Sequence, residues 1–332
     1  MKPNENLSER RIIEIIQSRL DVLPKMSIPF GDDVSAYTIG NSNLAVLKTD
    51  MLVDKTDVPP NMNLWQASRK AVIMNISDFA AKGVKPLAIL VSLGLPRTLK
   101  KKDIEQIGKG LNAGAREYGA YIIGGDTNEA SDLVISLSLF GMAKRGEIVL
   151  RSGAKPGNLV AVTGSFGKTA AGLKILLSEL RASAKIRKVL VDSVLLPCAR
   201  LKEGLALSKT KAVTAAIDSS DGLAWSLHEI ARASKVGFLI ERLPVAEEVA
   251  KFAEINGFDP LELAFYGGEE YELVLTVKPN VWRRAEKAVG EVGGKLLLIG
   301  KVTAGRRVLM EVGGKRRVIE RRGWEHFRSG SV

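Results

Sequence analysis

Cysteine and histidine are scarce in this sequence of 332 residues. The chain has one cysteine, Cys198, and two histidines, His228 and His326, which are far apart. A single cysteine excludes a disulfide within the chain and argues strongly against a cysteine-based metal site. So few imidazole and thiolate groups leave a zinc or copper ion almost without ligands. If the protein uses a metal, we therefore expect a hard ion that oxygen atoms hold.

Long apolar runs are also missing. No run approaches the roughly 18 apolar residues that a membrane span requires. The first residues, MKPNENLSERRIIEIIQ, include acidic side chains and lack the apolar core of a signal peptide. Because disulfides are absent as well, we expect a cytoplasmic protein with no membrane partner.

Positive charge exceeds negative charge, with 49 Lys and Arg against 37 Asp and Glu and a net charge of +12. Basic clusters lie at 100–102, 315–317 and 321–322. A nucleic-acid partner is one explanation and a solvated basic surface is the other. No zinc-finger, helix-turn-helix or RNA-recognition signature accompanies the charge, so we favour the solvated surface. Nucleic-acid binding remains the less favoured alternative function.

The length predicts two domains, at about 150 residues each. Strand and helix patterns alternate over 30–145, and a segment rich in glycine, proline and charge follows at 146–158. The second half of the chain repeats the same alternation. We therefore predict a two-domain α/β (α+β) protein, with an N-terminal domain at 1–148 and a C-terminal domain at 149–332.

Several elements in the first half have clear signals. Residues 7–20 have the pattern of an amphipathic helix with Ser8 as its N-cap. Residues 63–83 form the strongest helix pattern, which Gly83 should end. The apolar run at 86–96 lies between prolines and predicts a buried strand. The YIIGGDT segment predicts a strand followed by a tight turn.

Carboxylates follow a repeated pattern along the chain. They stand beside glycine, threonine, serine or asparagine, mostly where an apolar strand ends: Gly31-Asp32-Asp33, Thr49-Asp50, Asn75-Ile76-Ser77-Asp78, Gly124-Gly125-Asp126-Thr127, Asp218-Ser219-Ser220-Asp221-Gly222 and Gly267-Gly268-Glu269-Glu270. Each motif alone is typical of a helix cap or a turn. Asn75 and Asp78 differ because they share one face of a helix.

Together these motifs indicate an acidic cleft that offers only oxygen ligands. Carboxylates do not crowd together without cations, and Mg²⁺ binds carboxylates, carbonyls, waters and phosphates. Phosphoryl transfer has the same requirement, because metal ions neutralise charge on the phosphate oxygens. The segment GSFGKT is not a P-loop, since the first glycine of that motif is replaced by Val162. No GxGxxG dinucleotide signature is present.

The ordered motifs GDD, TD, NISD, GGDT, RSGAKPGN, DSSDGL, GGEEYEL and GWEHF resemble those of the thiamine-monophosphate kinases. The resemblance runs from Gly31 to Phe327, nearly the whole chain. It implies the fold of the aminoimidazole ribonucleotide synthetase superfamily, with an N-terminal α/β domain that pairs its sheet across a homodimer. It also implies transfer of phosphate from ATP to thiamine monophosphate, with several Mg²⁺ ions and ATP as co-substrate.

The resemblance assigns roles residue by residue. Metal ligands would be Asp33, the main-chain oxygen of Lys48, Thr49, Asp50, Asp78, Asp126, Asp218 and Asp221. Among these, Asp126, Asp218 and Asp221 would be catalytic. ATP would contact Gly125, Asp126, Arg151 and Ser220. The substrate would contact Asp57, Glu269 and Trp324, since a carboxylate and an aromatic ring suit a cationic thiazolium.

One position departs from the family pattern. Many bacterial members have a substrate-contacting histidine after the TD motif, where this chain has Asp57 in the segment VDKTDVP. Either Asp57 makes that contact or the substrate is bound differently there. Another ATP-dependent enzyme of the same superfamily remains an alternative. Selenophosphate synthetase fits poorly, because its reactive cysteine near the N-terminus has no counterpart here.

Overall fold

The computed structural model describes residues 7–327. The strands of its first half are β1 (Met26–Ile28), β2 (Ser35–Ile39), β3 (Asn43–Val53), β4 (Lys85–Leu95), β5 (Tyr121–Glu129) and β6 (Val134–Lys144). The helices there are α1 (Glu9–Gln17), α2 (Asp54–Asp57), α3 (Leu64–Lys82) and α4 (Lys101–Glu117). The strands form one sheet in the order β1-β2-β3-β6-β4-β5. All neighbours are antiparallel except β4 and β5, which are parallel.

The second half forms a second sheet. Its strands are β7 (Leu159–Val162), β8 (Val213–Asp218), β9 (Gly237–Ile240), β10 (Leu273–Val277), β11 (Leu297–Thr303), β12 (Val308–Val312) and β13 (Lys315–Val318), in the order β13-β12-β9-β11-β7-β10-β8. Its helices are α5 (Lys168–Leu177), α6 (Ala184–Leu195), α7 (Leu201–Thr210), α8 (Leu223–Ser234), α9 (Glu247–Asn256), α10 (Pro260–Tyr266) and α11 (Trp282–Glu291), with a 3₁₀ turn at Pro279–Val281. The two sheets with their helices make a mixed α/β fold of two domains.

Helix α3 connects the two halves. The Asn63 side chain accepts a hydrogen bond from Gln66 N, the Gln66 side chain accepts one from Asn63 N, and Gly83 ends the helix in a left-handed conformation with φ of 66°. These bounds confirm the helix predicted at 63–83. One side of α3 contacts β3 and β6, and another contacts β8 of the second sheet. Because it is covered on several sides, its polar side chains are buried along with its apolar ones.

Three other predictions can be compared with the structure. The N-terminal helix is shorter than predicted, Glu9–Gln17, and Ser8 caps it as expected. The strand predicted at 86–96 is β4. The tight turn predicted in YIIGGDT is wrong, because β5 continues through it to Glu129. Pairing with β4 keeps this segment extended, an effect that glycine content alone does not reveal. Within residues 7–327, no helix is both long and apolar enough to span a membrane.

Candidate active site

Three buried carboxylates meet beside α3, and we call them the acidic cluster: Asp33, Asp78 and Asp218. One oxygen of each lies within 4.8 Å of the others. Asp33 precedes β2, Asp78 is on α3 and Asp218 ends β8, so three separate elements supply them. Ser77 Oγ donates to Asp218 Oδ2 at 2.7 Å and fixes the side chain of Asp218. The cluster therefore joins residues of both halves of the chain.

Cations of the chain surround the acidic cluster. Lys48 Nζ lies 2.9 Å from Asp78 Oδ2 and 3.4 Å from Asp50 Oδ2. Lys82 Nζ lies 2.7 Å from Asp33 Oδ2 and is completely buried. It also contacts Asp32 Oδ1 at 2.6 Å. These ammonium groups offset part of the negative charge that burial would otherwise make costly.

Arg151 completes this shell of cations. Its Nε donates to Asp33 Oδ1 at 2.5 Å, and its Nη2 contacts the same oxygen. The backbone N of Arg151 donates to Asp32 Oδ2 at 3.0 Å, which ties the 150s segment to the loop before β2. A guanidinium fork of this kind can bind phosphate oxygens as readily as a carboxylate. The predicted ATP contact at Arg151 therefore lies directly beside the acidic cluster.

The pKa values show how these charges oppose one another. Burial and the neighbouring Asp33 raise the pKa of Asp218 to about 6. Burial and Asp218 raise the pKa of Asp221 to about 7. Burial likewise raises the pKa of Asp78 well above its usual value, although Lys48 opposes the shift. For Asp33, burial acts upward, but Lys82 and Arg151 outweigh it and lower the pKa.

The residues of this site fit a divalent cation that prefers oxygen. Three carboxylates lie within reach of one ion. Among residues 7–327, Asn75 Oδ1 and Ser219 Oγ are buried acceptors without a hydrogen-bond partner. Asn75 precedes Asp78 by three residues on one helix face, and Ser219 follows Asp218 in sequence. A donor set made only of oxygens is the set that Mg²⁺ binds.

The predicted ligands Thr49 and Asp50 point to opposite faces of β3, because side chains alternate along a strand. Asp50 pairs with the buried Leu137 and shares the inner face with Lys48. Thr49 lies on the outer face, where its Oγ1 donates to Leu137 O at 2.8 Å. The side chain of Thr49 is thus on the other side of the sheet from the acidic cluster.

Asp126 also lies on the outer face. It pairs with Ser92 on β4, which in turn pairs with Ser136 on β6. Three strand spacings separate β5 from β3, a distance of about 14 Å. Within one chain the structure therefore does not bring Asp126 into the acidic cluster. Neighbouring Gly125 allows β5 to approach β4 closely, since a Cβ there would overlap the carbonyl oxygen of Val91.

The remaining predicted site residues are joined by backbone hydrogen bonds. Glu269 N donates to Ser220 O at 2.6 Å, and Trp324 N donates to Asp221 O at 3.0 Å. Gly268 lies against Trp324, so the GGEE loop, the DSSDG loop and the C-terminal segment meet. Asp57 has a partner in its own backbone. Its Oδ2 accepts a hydrogen bond from Val53 N at 2.7 Å, which directs the carboxylate to its own backbone.

Four polar side chains of this site had no role predicted from the sequence: Asp32 and Ser77, which stand within the motifs above, and the lysines Lys70 and Lys82. Lys70 and Lys82 are almost completely buried on α3 and pair with Glu269 and Asp33. Charged residues within the apolar pattern of the helix predicted at 63–83 were the available signal. A fully buried lysine needs a partner carboxylate.

The fold and this acidic site define a class of protein. The family model "AIR synthase related protein, N-terminal domain" matches residues 31–143, and its C-terminal counterpart matches 155–313. The thiamine-monophosphate kinase of Nitrosopumilus maritimus is 35% identical, over 97% of this chain and 99% of the relative. That of Pyrococcus horikoshii is 37% identical, over 98% of each chain.

A solved structure, AaThiL complexed with AMPPCP and TMP, matches with a TM-score of 0.84 and 29% identity. The match covers 96% of this chain and 97% of that chain. Within the class of AIR synthase-related proteins, the chain therefore belongs to the thiamine-monophosphate kinase family. The resemblance found from the sequence motifs is thus confirmed.

Proposed function

We propose that this protein transfers the terminal phosphate of ATP to thiamine monophosphate and forms thiamine diphosphate. The observation that carries the proposal is the acidic cluster with Arg151 beside it. Relatives that match nearly the full length have this activity as their name, and the matched AaThiL structure holds AMPPCP and TMP.

The acidic cluster would hold Mg²⁺, with Asp50 and Asp221 as further ligands. When bound, Mg²⁺ neutralises charge on the phosphate oxygens during transfer. Asp126, Thr49 and the main-chain oxygen of Lys48 stay predicted ligands. Asp126, Asp218 and Asp221 stay the predicted catalytic residues.

The acceptor phosphate is already ionised and needs no strong base. The residues of the chain therefore have to bind and orient the two substrates. Arg151 binds and orients phosphate oxygens of ATP through its guanidinium fork. Gly125 contributes an ATP contact from β5, and Ser220 contributes one from the loop after β8. Glu269 and Trp324 bind the cationic thiazolium, which places its phosphate toward the acidic cluster.

We further propose that the protein is a homodimer that pairs its first sheet across the interface, with domains at 1–148 and 149–332. Support comes from the outer face of that sheet. The large apolar side chains exposed there include Leu47, Met51, Leu90 and Met142. An apolar patch of this extent on a sheet is typical of an interface. Thr49 and Asp126 lie on the same face, so the interface would bring them near residues of a second copy.

A turnover assay tests the function directly. ADP release from MgATP is measured with and without thiamine monophosphate, and thiamine diphosphate is quantified separately. We expect product only when thiamine monophosphate is present. ATP binding without thiamine diphosphate would overturn the substrate assignment and favour another ATP-dependent enzyme of the same superfamily. The rate should rise more steeply than first order in free Mg²⁺ if several ions act.

The oligomeric state has its own test. Met51→Glu places a charge on the outer face, where Met51 is 54% exposed. Ile255→Glu is the matched control, because Ile255 on α9 is 53% exposed and lies on the other half of the chain. Light scattering should give a dimer for the wild type and the control, and a monomer for Met51→Glu. A wild-type monomer would overturn the homodimer.

A further inference from the structure

Lys70 connects the two halves of the protein at the predicted substrate contacts. It lies on α3 and is 1% exposed. Its Nζ is 2.6 Å from Glu269 Oε1 and donates to the carbonyl oxygen of Asp57 at 2.7 Å. Within residues 7–327 these two oxygens are its partners, although an ammonium carries three donor hydrogens. Lys70 thus has capacity for one further acceptor.

Of the two paired side chains, Glu269 faces outward and Lys70 is buried. The Glu269 side chain is 35% exposed, whereas Lys70 lies behind it. Glu269 has a left-handed backbone with φ of 62°, and its N–H is held by Ser220 O. The carboxylate of Asp57 is occupied by Val53 N, so Asp57 orients Lys70 through its carbonyl oxygen. A ligand therefore meets a carboxylate at the surface and a buried cation directly beneath it.

The charges of Glu269 and Lys70 act differently on thiamine monophosphate and on thiamine. Thiamine monophosphate has a cationic ring and an anionic phosphate, whereas thiamine has the ring alone. Glu269 attracts the ring of both forms and repels the phosphate, which only thiamine monophosphate has. The field of Lys70 favours the phosphate, and burial keeps water from screening that field. Repulsion between Lys70 and the ring falls on both forms and cancels when their affinities are compared.

We propose that Lys70 is a specificity-determining residue, which offsets the repulsion between Glu269 and the substrate phosphate and so lets the site accept a phosphorylated thiazolium as well as the unphosphorylated cation. The inference rests on the proposed function, since it takes thiamine monophosphate as the substrate. Lys70 acts through its charge and through its ion pair with Glu269.

A series of charge variants tests the proposal by calorimetry, with thiamine monophosphate and thiamine titrated separately in the presence of Mg²⁺ and AMPPCP. The quantity compared is the ratio of the two dissociation constants, from which ring contacts cancel. Lys70→Met removes one positive charge and should lower the preference for the phosphorylated form about tenfold. Glu269→Gln should raise this preference. Lys70→Arg should retain the wild-type ratio, and so should the double variant Lys70→Met/Glu269→Gln.

Arg69→Met is the matched control for loss of a buried cation on the same helix. Arg69 pairs with Glu117 and donates to the carbonyl oxygen of Pro197, away from Glu269. It should lose stability but keep the wild-type ratio. If Lys70→Met does not fold, Lys70→Gln takes its place, because it also removes the positive charge and keeps a polar donor for the carbonyl oxygen of Asp57.

An unchanged ratio in Lys70→Met and Glu269→Gln would overturn the inference, and so would an equal change in Arg69→Met. The proposed function has a separate readout. If the wild type turns over thiamine monophosphate while the ratio of dissociation constants is the same in every variant, only the role of Lys70 is refuted. If the wild type forms no thiamine diphosphate, the proposed function itself is refuted.

Discussion

Replacing Asp218 with Asn removes one charge from the acidic cluster and should have opposite effects on stability and activity. Burial and Asp33 raise the pKa of Asp218 to about 6, from an ordinary value of 3.8. Because the folded-state pKa is the higher one, ionising Asp218 costs stability as pH rises from 3.8 to about 6. Above that range the cost is complete, about 3 kcal/mol. Asn can still accept the hydrogen bond from Ser77 Oγ.

In EDTA at pH 8, Asp218→Asn should therefore be more stable than the wild type by up to about 3 kcal/mol. In Mg²⁺ the wild type should become the more stable of the two. An ion that binds only the folded state stabilises it more when its affinity is higher, and the wild type has one more carboxylate to bind the ion. The kcat/KM should fall by about a hundredfold or more, as when other charge-stabilising groups are removed. Thermal unfolding with EDTA and with Mg²⁺, together with turnover, measures all three effects.

The control is Asp192→Asn, which removes a carboxylate that is paired with Lys188 at the surface. Its unfolding free energy should change by less than about 1 kcal/mol in either buffer. Asp218→Asn without added stability in EDTA would contradict the electrostatic cost of the buried charge. Equal stabilisation of the variant and the wild type by Mg²⁺ would contradict the role of Asp218 as a metal ligand.

Three further predictions concern single residues. Asp126→Asn should abolish phosphoryl transfer without lowering the unfolding midpoint, since Asp126 is exposed on an edge strand; full turnover by the folded variant would contradict its role. Burial raises the pKa of Glu270 to about 7, so the wild type loses stability as pH rises from 4.5 to that value. Glu270→Gln should gain about 3 kcal/mol relative to it between pH 4 and pH 8 in urea unfolding, and a constant difference would refute this. Asn63→Ala removes the cap of α3 and should cost about 1 kcal/mol in urea unfolding with unchanged KM values; no loss would mean that the cap is dispensable.

The acidic cluster illustrates why such a site is costly to the fold that carries it. Asp33, Asp78 and Asp218 are buried within a few ångströms of one another, and the lysines of the chain compensate them only in part. Replacement of a site residue by a neutral one commonly stabilises a protein and reduces its activity. Lys82 and Arg151 reduce the cost by pairing with Asp33, which keeps that carboxylate ionised.

The sequence by itself determined what local chemistry controls. The cap at Asn63 and the left-handed Gly83 set the bounds of α3, because both act within a few residues of the helix ends. The scarcity of cysteine and histidine, with carboxylates beside glycine, predicted a site of oxygen ligands. The ordered motifs gave the family. None of these inferences required knowledge of which distant segments meet.

Only the tertiary structure decided which carboxylates come together. Asp50 and Thr49 are neighbours in sequence but lie on opposite faces of β3, and strand pairing places Asp126 on the outer face as well. Lys70 was invisible in the sequence as a partner of Glu269, because their contact depends on α3 packing against the second half of the chain. Electrostatic interactions fall with distance through space rather than along the chain. For that reason the sequence predicted which residue types form the site, and only the tertiary structure showed which of them are in contact.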